Sequence, residues 1–211
     1  MARSLILVGG GGHCKSVIEA AESQGYTIKG ILDLPSELGK KILGYEVIGN
    51  DDDILQYVDE CDFIVTLGFI KNPERRILLR KKIEEADGNL ATIIASTAHV
   101  STYAIVGKGT VVLHGAMVNA GASIGKNCII NTLANIEHDA VVGDNCHIST
   151  GVMVNGDCRV GENTFLGSQS VMVNATSIPA NSVFAAGCMV RKSQIVAGVY
   201  AGNPAVLIKK L

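Results

Sequence analysis

Residues 106–130, with the sequence VGKGTVVLHGAMVNAGASIGKNCII, carry an apolar residue at every sixth place. The same spacing extends in both directions from this segment. All sixteen places of the register are apolar: Val100, Val106, Val112, Val118, Ile124, Ile130, Ile136, Val142, Ile148, Val154, Val160, Leu166, Met172, Ile178, Phe184 and Val190. A period of six sustained this far is typical of a hexapeptide-repeat parallel β-helix.

Small residues recur four places after each of these aliphatic residues, from Thr110 to Cys188. We expect both positions to face the interior. We expect tight turns at the glycines that directly follow an aliphatic residue, Gly107, Gly125, Gly143, Gly161 and Gly167. Three hexads form one triangular coil of a left-handed β-helix, so the repeat predicts about five coils and a prism about 25 Å tall. This all-β domain is assigned to residues 96–190.

The overall composition excludes some classes of partner. The chain has 211 residues, 47% of them apolar and 18% charged, and a net charge of −2. A broad basic surface is therefore absent, and no nucleic-acid partner is expected. The N-terminus resembles neither a signal peptide nor a membrane span, so we expect a cytoplasmic protein without membrane association.

Four of the six cysteines occupy the small interior position of the hexad, where a thiol packs like a small apolar group. They predict free, buried thiols in a reducing compartment. No CxxC spacing occurs, and no two of the histidines in and beside the repeat differ by 18, the spacing of residues stacked in adjacent coils. No metal site is predicted within one chain. Ligands shared between subunits remain the alternative.

The first 95 residues predict a small α/β domain of Rossmann-like type. The apolar run Ser4–Val8 is followed by four glycines at 9–12 and then by a helical pattern. A strand, a glycine turn and a helix open many nucleotide-binding units, because the turn and the helix N-terminus favour a phosphate. The full GxGxxG pattern is absent, since Cys14 stands at its third glycine. Asp33 lies where such folds place an acid for a ribose hydroxyl, although a plain turn is an equal alternative.

Several further elements follow in this domain. Asn50 and Asp51 predict the cap of a helix over residues 54–58, and the acidic run at 51–53 is attributed to its dipole. Asn72 and Pro73 predict the start of a helix that ends near Ala86 and whose five basic residues form a solvated face. Residues 90–95 predict the last strand before the repeat, and residues 191–211 predict a C-terminal cap.

A polar corner, EHD at 137–139, interrupts the repeat. A histidine beside a carboxylate on a rigid corner can act as a general base, because the acid orients the imidazole and stabilises its charged form. His147 follows nine residues later. An ordinary polar corner is an equal alternative for His138, and an ordinary structural role is favoured for the histidines at 13, 99 and 114.

Five segments resemble the sugar acetyltransferases of the left-handed β-helix superfamily. The resemblance is to the branch that contains bacterial nucleotide 4-amino-sugar N-acetyltransferases and sialic acid O-acetyltransferases, and it covers nearly the whole chain. The segments are GGGGH at 9–13, NTLANIEHD at 131–139, CHISTGV at 146–152, GENTFLGSQSVM at 161–172 and GVYAGNPA at 198–205.

The resemblance implies a homotrimer with active sites between neighbouring prisms, acetyl-CoA along the β-helix and a nucleotide-sugar, with UDP as the expected nucleotide, in the N-terminal domain. It implies His138 as the general base, assisted by Asp139, and no metal. The implied substrate-binding residues are Gly9, Gly11, Gly12, His13, Asp33 and Asn131. The implied acetyl-CoA-binding residues are His147, Gly167 and Gly187, to which charge and position add Arg191 and Lys192.

The expected reaction is N-acetylation of a nucleotide-linked 4-amino-4,6-dideoxy sugar by direct attack of the amine on the thioester. The alternatives are O-acetylation of sialic acid or a related sugar, and a β-helix binding or scaffold protein without catalysis.

Overall fold

The hexad repeat forms a three-sided parallel β-helix in the computed structural model of the protein, which describes residues 3–210. Each hexad supplies a strand of two residues, which pairs in parallel with the strand 18 residues further on, as Val112 does with Ile130. The strands are β7 Ile93–Ile94, β8 His99–Val100, β9 Ile105–Val106, β10 Val111–Val112, β11 Met117–Val118, β12 Ser123–Ile124, β13 Ile129–Ile130, β14 Asn135–Ile136, β15 Val141–Val142, β16 His147–Ile148, β17 Met153–Val154, β18 Arg159–Val160, β19 Phe165–Leu166, β20 Val171–Met172, β21 Ser177–Ile178, β22 Val183–Phe184 and β23 Met189–Val190.

These strands stack into three sheets, one on each side of the prism. Sheet 1 contains β7, β10, β13, β16, β19 and β22; sheet 2 contains β8, β11, β14, β17, β20 and β23; sheet 3 contains β9, β12, β15, β18 and β21. The aliphatic residues of the repeat and the small residues between them form one buried core cluster. Along each strand the first residue faces outward and the second inward. The predicted β-helix is confirmed.

The β-helix begins one hexad earlier than the sequence register suggested. Ile93 and Ile94 pair with Val111 and Val112 in sheet 1, whereas β6 Asn89–Leu90 belongs to the N-terminal domain. The single strand predicted over residues 90–95 was therefore wrong. Ile94 lies six residues before Val100, so it continues the repeat.

The left-handed backbone conformation falls three residues after each inward aliphatic residue. Positive φ angles occur at this place in every corner from Gly109 to Gly187. Glycine, asparagine and aspartate hold most of these corners, because they tolerate this conformation best. The expected turn glycines have another role, since a Cβ on Gly107 would lie 2.6 Å from the backbone of Gly125 in the next coil. The predicted turn position was wrong, and these glycines permit close stacking instead.

The N-terminal domain is a six-stranded sheet with one helix packed on each face. Its elements are β1 Ser4–Val8, α1 Gly12–Ser23, β2 Ile28–Leu32, β3 Lys41–Ile42, β4 Tyr45–Gly49, β5 Cys61–Val65, α2 Glu74–Glu85 and β6. The strand order is β3-β4-β2-β1-β5-β6, and β3 alone runs antiparallel to its neighbour. Strand β1 lies between β2 and β5, so the chain extends the sheet from β1 first in one direction and then in the other. The carboxyl end of β1 is therefore a topological switch point, where Rossmann-like sheets bind ligands.

Two local predictions in this domain differ from the structure. The helix expected over residues 54–58 is a single 3₁₀ turn, Ile54–Gln56, so no helix dipole explains the acidic run before it. Helix α2 starts at Glu74, one residue later than expected, although the Asn72 side chain still accepts a hydrogen bond from the Glu74 amide at 2.8 Å.

The N-terminal domain packs against the outward face of sheet 1. Residues of β1 and α1 share one buried cluster with Ile93, Val111 and Ile129. Further down the same face, Phe69 packs with Phe165.

At the other end of the prism, the chain adds β24 Gly198–Ala201 and β25 Val206–Lys210 to sheet 1. No helix between residues 3 and 210 is long and apolar enough to span a lipid bilayer.

Candidate active site

His138 and Asp139 occupy the corner between sheet 2 and sheet 3, directly after β14. The Nδ1 atom of His138 lies 2.9 Å from Oδ2 of Asp139, and both side chains are exposed, by 61% and 69%. Asp139 has a φ of +60° and so fills the left-handed corner position. Because the carboxylate accepts from Nδ1, Nε2 of the imidazole keeps its lone pair and is the proton acceptor.

The environment of His138 favours its protonated form. The hydrogen bond to Asp139 raises the pKa of His138, and the nearby negative charges of Asp139, Glu137 and Asp157 raise it further. The ring lies against Gly156 in the next coil, where a Cβ would be 2.7 Å from both Cε1 and Nε2. The ring is therefore positioned by the Asp139 carboxylate on one side and by the Gly156 backbone on the other.

His147 lies on a different side of the prism, on the outward face of sheet 1. Its Nδ1 lies 2.7 Å from the Phe69 carbonyl oxygen, which accepts a hydrogen only from a protonated Nδ1. Nε2 then has the free lone pair and accepts from the Asn131 side-chain amide at 3.3 Å. The pKa of His147 is lowered to about 4, chiefly by burial and also by the positive charge of Arg76, against the opposing effect of the Phe69 hydrogen bond. His147 is therefore a neutral hydrogen-bond acceptor, with an orientation fixed by the N-terminal domain.

His13 and Arg76 lie behind His147. The rings of His13 and His147 are 6.4 Å apart between centroids, and burial lowers the pKa of His13 to about 3. Arg76 is 1% exposed and donates to the carbonyl oxygens of Val65 and Leu67, at 2.7 Å each, and of Asn127, at 3.3 Å. The prediction that this arginine belongs to a solvated face was wrong. Arg76 joins the end of β5 to the first coils of the β-helix.

Within one chain, His138 does not lie beside Asn131 and His147. His138 lies at the corner between sheets 2 and 3. Asn131 lies at the corner between sheets 1 and 2, and His147 lies on sheet 1 beside it. Sheet 2 separates these two edges, so one cleft that holds all three side chains requires two copies of the chain.

Two predicted nucleotide-binding residues, Gly9 and Asp33, line a cavity of about 240 Å³ at the switch point of the N-terminal sheet. Asp33 Oδ2 accepts the Gly10 amide at 2.9 Å, which holds the glycine loop against the end of β2. Gly11 and Gly12 start helix α1, with no side-chain cap on its first amides and open space around both residues. An uncapped helix N-terminus beside a carboxylate suits a phosphate and a ribose hydroxyl.

Comparison with known proteins matches both halves of the chain. The PglD N-terminal domain family matches residues 4–82, and hexapeptide-repeat families match residues 121–156, 139–174 and 158–192. The structure of PerB from Caulobacter crescentus, in complex with CoA and GDP-perosamine, is 30% identical, with a TM-score of 0.89 over 98% of each chain. The chain belongs to the left-handed β-helix sugar N-acetyltransferase family. The predicted family is confirmed.

Two further proteins are similar to this chain. The acetyltransferase domain of PglB from Neisseria gonorrhoeae is 28% identical, with a TM-score of 0.89 over 98% of this chain and 100% of that one. The uncharacterized protein L142 of Acanthamoeba polyphaga mimivirus is 34% identical over 108 residues, which are 50% of this chain and 20% of that protein. The chain thus matches about one fifth of that relative's length.

Of the remaining predicted residues of this family member, Gly167 and Gly187 lie on the edge between sheets 1 and 2, whereas Arg191 and Lys192 lie on the His138 edge, three coils further along. Arg191 and Lys192 line a cavity of about 500 Å³ at the C-terminal end of the prism. Gly187 has open space around it, whereas a Cβ on Gly167 would collide with the backbone of the next coil at 2.5 Å. Gly167 is therefore required for stacking, whatever else its backbone contacts. Within residues 3–210, no three His, Cys, Asp or Glu side chains are grouped closely enough to hold a metal ion.

Two residues of this site were not predicted from the sequence, Gly156 and Arg76. Gly156 lies 18 residues after His138, and residues 18 apart stack in adjacent coils, so the repeat alone places it beside the ring. Arg76 carried no comparable signal, since its burial depends on how α2 docks against a coil 51 residues away.

Proposed function

We propose that the protein transfers the acetyl group of acetyl-CoA to the 4-amino group of a nucleotide-linked 4-amino-4,6-dideoxy sugar. The observation that carries this proposal is the hydrogen-bonded pair of His138 and Asp139 on an open edge of the β-helix. Relatives support the substrate classes: PerB is described with CoA and GDP-perosamine, and the PglB domain with acetyl coenzyme A.

His138 acts as the general base in this proposal. Its Nε2 removes the proton of the sugar amine as the amine attacks the thioester carbonyl carbon, and CoA leaves as the thiol. Asp139 holds the ring through Nδ1 and stabilises the imidazolium that forms. The thioester is already activated, so bringing the two substrates together needs no covalent enzyme intermediate. All six cysteines are buried and free, which makes them poor nucleophiles.

We propose that the nucleotide binds in the N-terminal domain. The amides at the start of α1, around Gly11 and Gly12, meet the diphosphate, and Asp33 accepts a ribose hydroxyl. Acetyl-CoA lies along the prism edge that carries Asn131 and His147. Because Nε2 of His147 is an acceptor, it does not stabilise an oxyanion; it positions the Asn131 side-chain amide at this edge. Arg191 and Lys192 are candidates for the CoA phosphates.

The active assembly is a homotrimer in this proposal. The outward residues of sheet 2 are mostly apolar, and Met117 and Met153 are 41% and 38% exposed in the single chain. If sheet 2 faces the threefold axis, each interface brings the His138 edge of one subunit against the Asn131 edge of the next. Such a head-to-tail interface closes into a ring. The six free cysteines fit a reducing compartment, and we place the reaction in the cytoplasm.

The test uses purified protein, acetyl-CoA and a panel of nucleotide-linked amino sugars beside sialic acid and related hydroxy sugars. Release of the CoA thiol and the mass of the product are measured. We expect acetylation of an amino sugar and a loss of two to four orders of magnitude in rate for His138→Ala. Lys108→Ala is the matched control, because Lys108 is exposed and holds the same hexad position on the third edge of the prism, between sheets 3 and 1. Turnover of hydroxy sugars alone would identify an O-acetyltransferase, and no CoA binding would identify a scaffold.

A further inference from the structure

The cavity at the switch point has an apolar interior and a charged wall. Leu32, Leu67 and Leu79 contribute apolar surface, which suits the flat faces of a nucleobase. Two charged residues beyond Asp33 also line the cavity, Asp51 and Arg75. Asp33 lies at the end of β2 and Asp51 follows β4, the next strand outward from the switch point. A nucleoside with its ribose at Asp33 therefore has its base near Asp51 and Arg75.

The three consecutive aspartates of this segment have different contacts. Asp53 accepts the Asn50 amide at 2.8 Å and closes its own turn. Asp52 is 84% exposed and pairs with Lys82. Asp51 alone lines the cavity. Its carboxylate is 25% exposed and lies 3.0 Å from Nη2 of Arg75.

The pair of Asp51 and Arg75 retains hydrogen-bonding capacity. Both Arg75 and the more distant Lys82, at 3.8 Å, approach the same oxygen, Oδ2 of Asp51. Among residues 3–210, neither Oδ1 of Asp51 nor Nη1 and Nε of Arg75 has a hydrogen-bond partner. The wall therefore offers a carboxylate that accepts and, directly beside it, a guanidinium that donates.

We propose that Asp51 and Arg75 select guanine as the base of the nucleotide-sugar, an inference that rests on the nucleotide-binding role given above to the N-terminal domain. Guanine carries two adjacent donors, N1–H and N2–H, which match the two oxygens of one carboxylate. Its O6 and N7 acceptors lie next to them and match an arginine, which commonly donates to both. All of these polar groups face one wall, and the flat base faces the leucines.

The other bases leave part of this wall unmatched. Uracil and thymine have one donor, N3–H, flanked by two carbonyl oxygens, so one carboxylate oxygen would face a carbonyl. Adenine presents its amino group to the carboxylate but has no second donor beside it. An unmatched buried acceptor weakens binding more than a lost contact does, because its desolvation is not compensated.

The experiment measures binding of GDP, UDP, dTDP and ADP to the full-length protein by titration calorimetry. We expect GDP to bind at least about tenfold more tightly than the others, as for a well-matched pair of side chain and base. Asp51→Asn is expected to remove most of this preference, because it replaces an acceptor by a donor. Asp52→Asn, a neighbouring change that does not line the cavity, is expected to keep it. Arg75→Gln is expected to weaken GDP binding more than UDP binding.

The outcomes separate this inference from the proposed function. Tighter binding of UDP or dTDP than of GDP, or an Asp51→Asn protein with unchanged preference, would overturn the assignment of guanine while leaving nucleotide binding intact. Binding of no nucleotide by a folded protein that also transfers no acetyl group would remove both proposals. Acetyl transfer to a free sugar by a protein that binds no nucleotide would overturn the guanine assignment, because the cavity would then not be a nucleotide site.

Discussion

The imidazole of His138 lies against Gly156, which occupies the same corner in the next coil. A Cβ on Gly156 would be 2.7 Å from two atoms of the ring. The φ of Gly156 is not positive, so the backbone there accepts alanine without strain. Glycine is thus needed at this position for the space that it leaves to the ring.

The variant Gly156→Ala tests this relationship. The added methyl group displaces the ring from its place beside Asp139, and a displacement of about 1 Å lowers the rate on the order of 100-fold. Steady-state kinetics should show the loss in kcat, while thermal unfolding stays close to that of the unmodified protein because the exposed His138 ring can turn away from the added methyl group. An enzyme with the original kcat would show that this ring position is not needed for catalysis.

The pH dependence of kcat/KM tests the pair of His138 and Asp139. A general base must be deprotonated, and its pKa is raised above the usual 6.5. The rate should therefore rise with pH through a midpoint above 6.5. Asp139→Asn removes the hydrogen-bonded charge and should move the midpoint to lower pH. Asp157→Asn removes a negative charge that raises the pKa of His138 less than Asp139 does, so it should move the midpoint less. A midpoint that is the same in all three proteins would mean that another group titrates.

The sequence predicted the β-helix and the corner at His138 because each coil repeats one environment, so periodicity alone determines which residues face inward. The repeat also determines which side of the prism each hexad occupies. Ile136 belongs to sheet 2, and Ile148, two hexads later, belongs to sheet 1. The separation of His138 from His147 therefore follows from counting hexads.

The environment of His147 could not be predicted in this way. Burial and the positive charge of Arg76 keep His147 neutral, and the Phe69 carbonyl determines its tautomer. Phe69 and Arg76 both belong to the N-terminal domain. No periodic pattern connects these residues to sheet 1. The docking of one domain on the other determines their contacts, and the sequence alone indicated Arg76 as a surface residue.

Arg76→Met tests the role of the buried arginine. The change leaves the carbonyl oxygens of Val65 and Leu67 without their donor in a buried place. We expect a loss of about 3–5 kcal/mol in the free energy of unfolding, measured with urea. Lys81→Met, an exposed change on the same helix, should alter it by less than about 0.5 kcal/mol. Equal small effects would show that these hydrogen bonds contribute little to stability.

Stability should decrease in acid because of His13 and His147. Their pKa values are lowered in the folded protein to about 3 and about 4, whereas the unfolded chain has the ordinary value of 6.5. The unfolded state binds more protons between these values, so the stability present above pH 6.5 is lost as pH falls toward 4. Urea unfolding at several pH values measures this slope. His147→Gln should reduce the slope, and an unchanged slope would assign it to other groups.

Two inactive variants should restore each other if the site lies between subunits. His138→Ala and Asn131→Ala change opposite edges of sheet 2, so the proposed trimer uses one residue from each of two neighbouring chains. In trimers formed from an equal mixture of the two, about one interface in four combines two unchanged edges. We expect the co-expressed mixture to be more active than either variant alone, and light scattering should confirm that it is trimeric. Trimers that form without any regained activity would show that His138 and Asn131 do not act together in one shared site. Met153→Glu, which adds a charge to the outward face of sheet 2, should prevent assembly and abolish activity together.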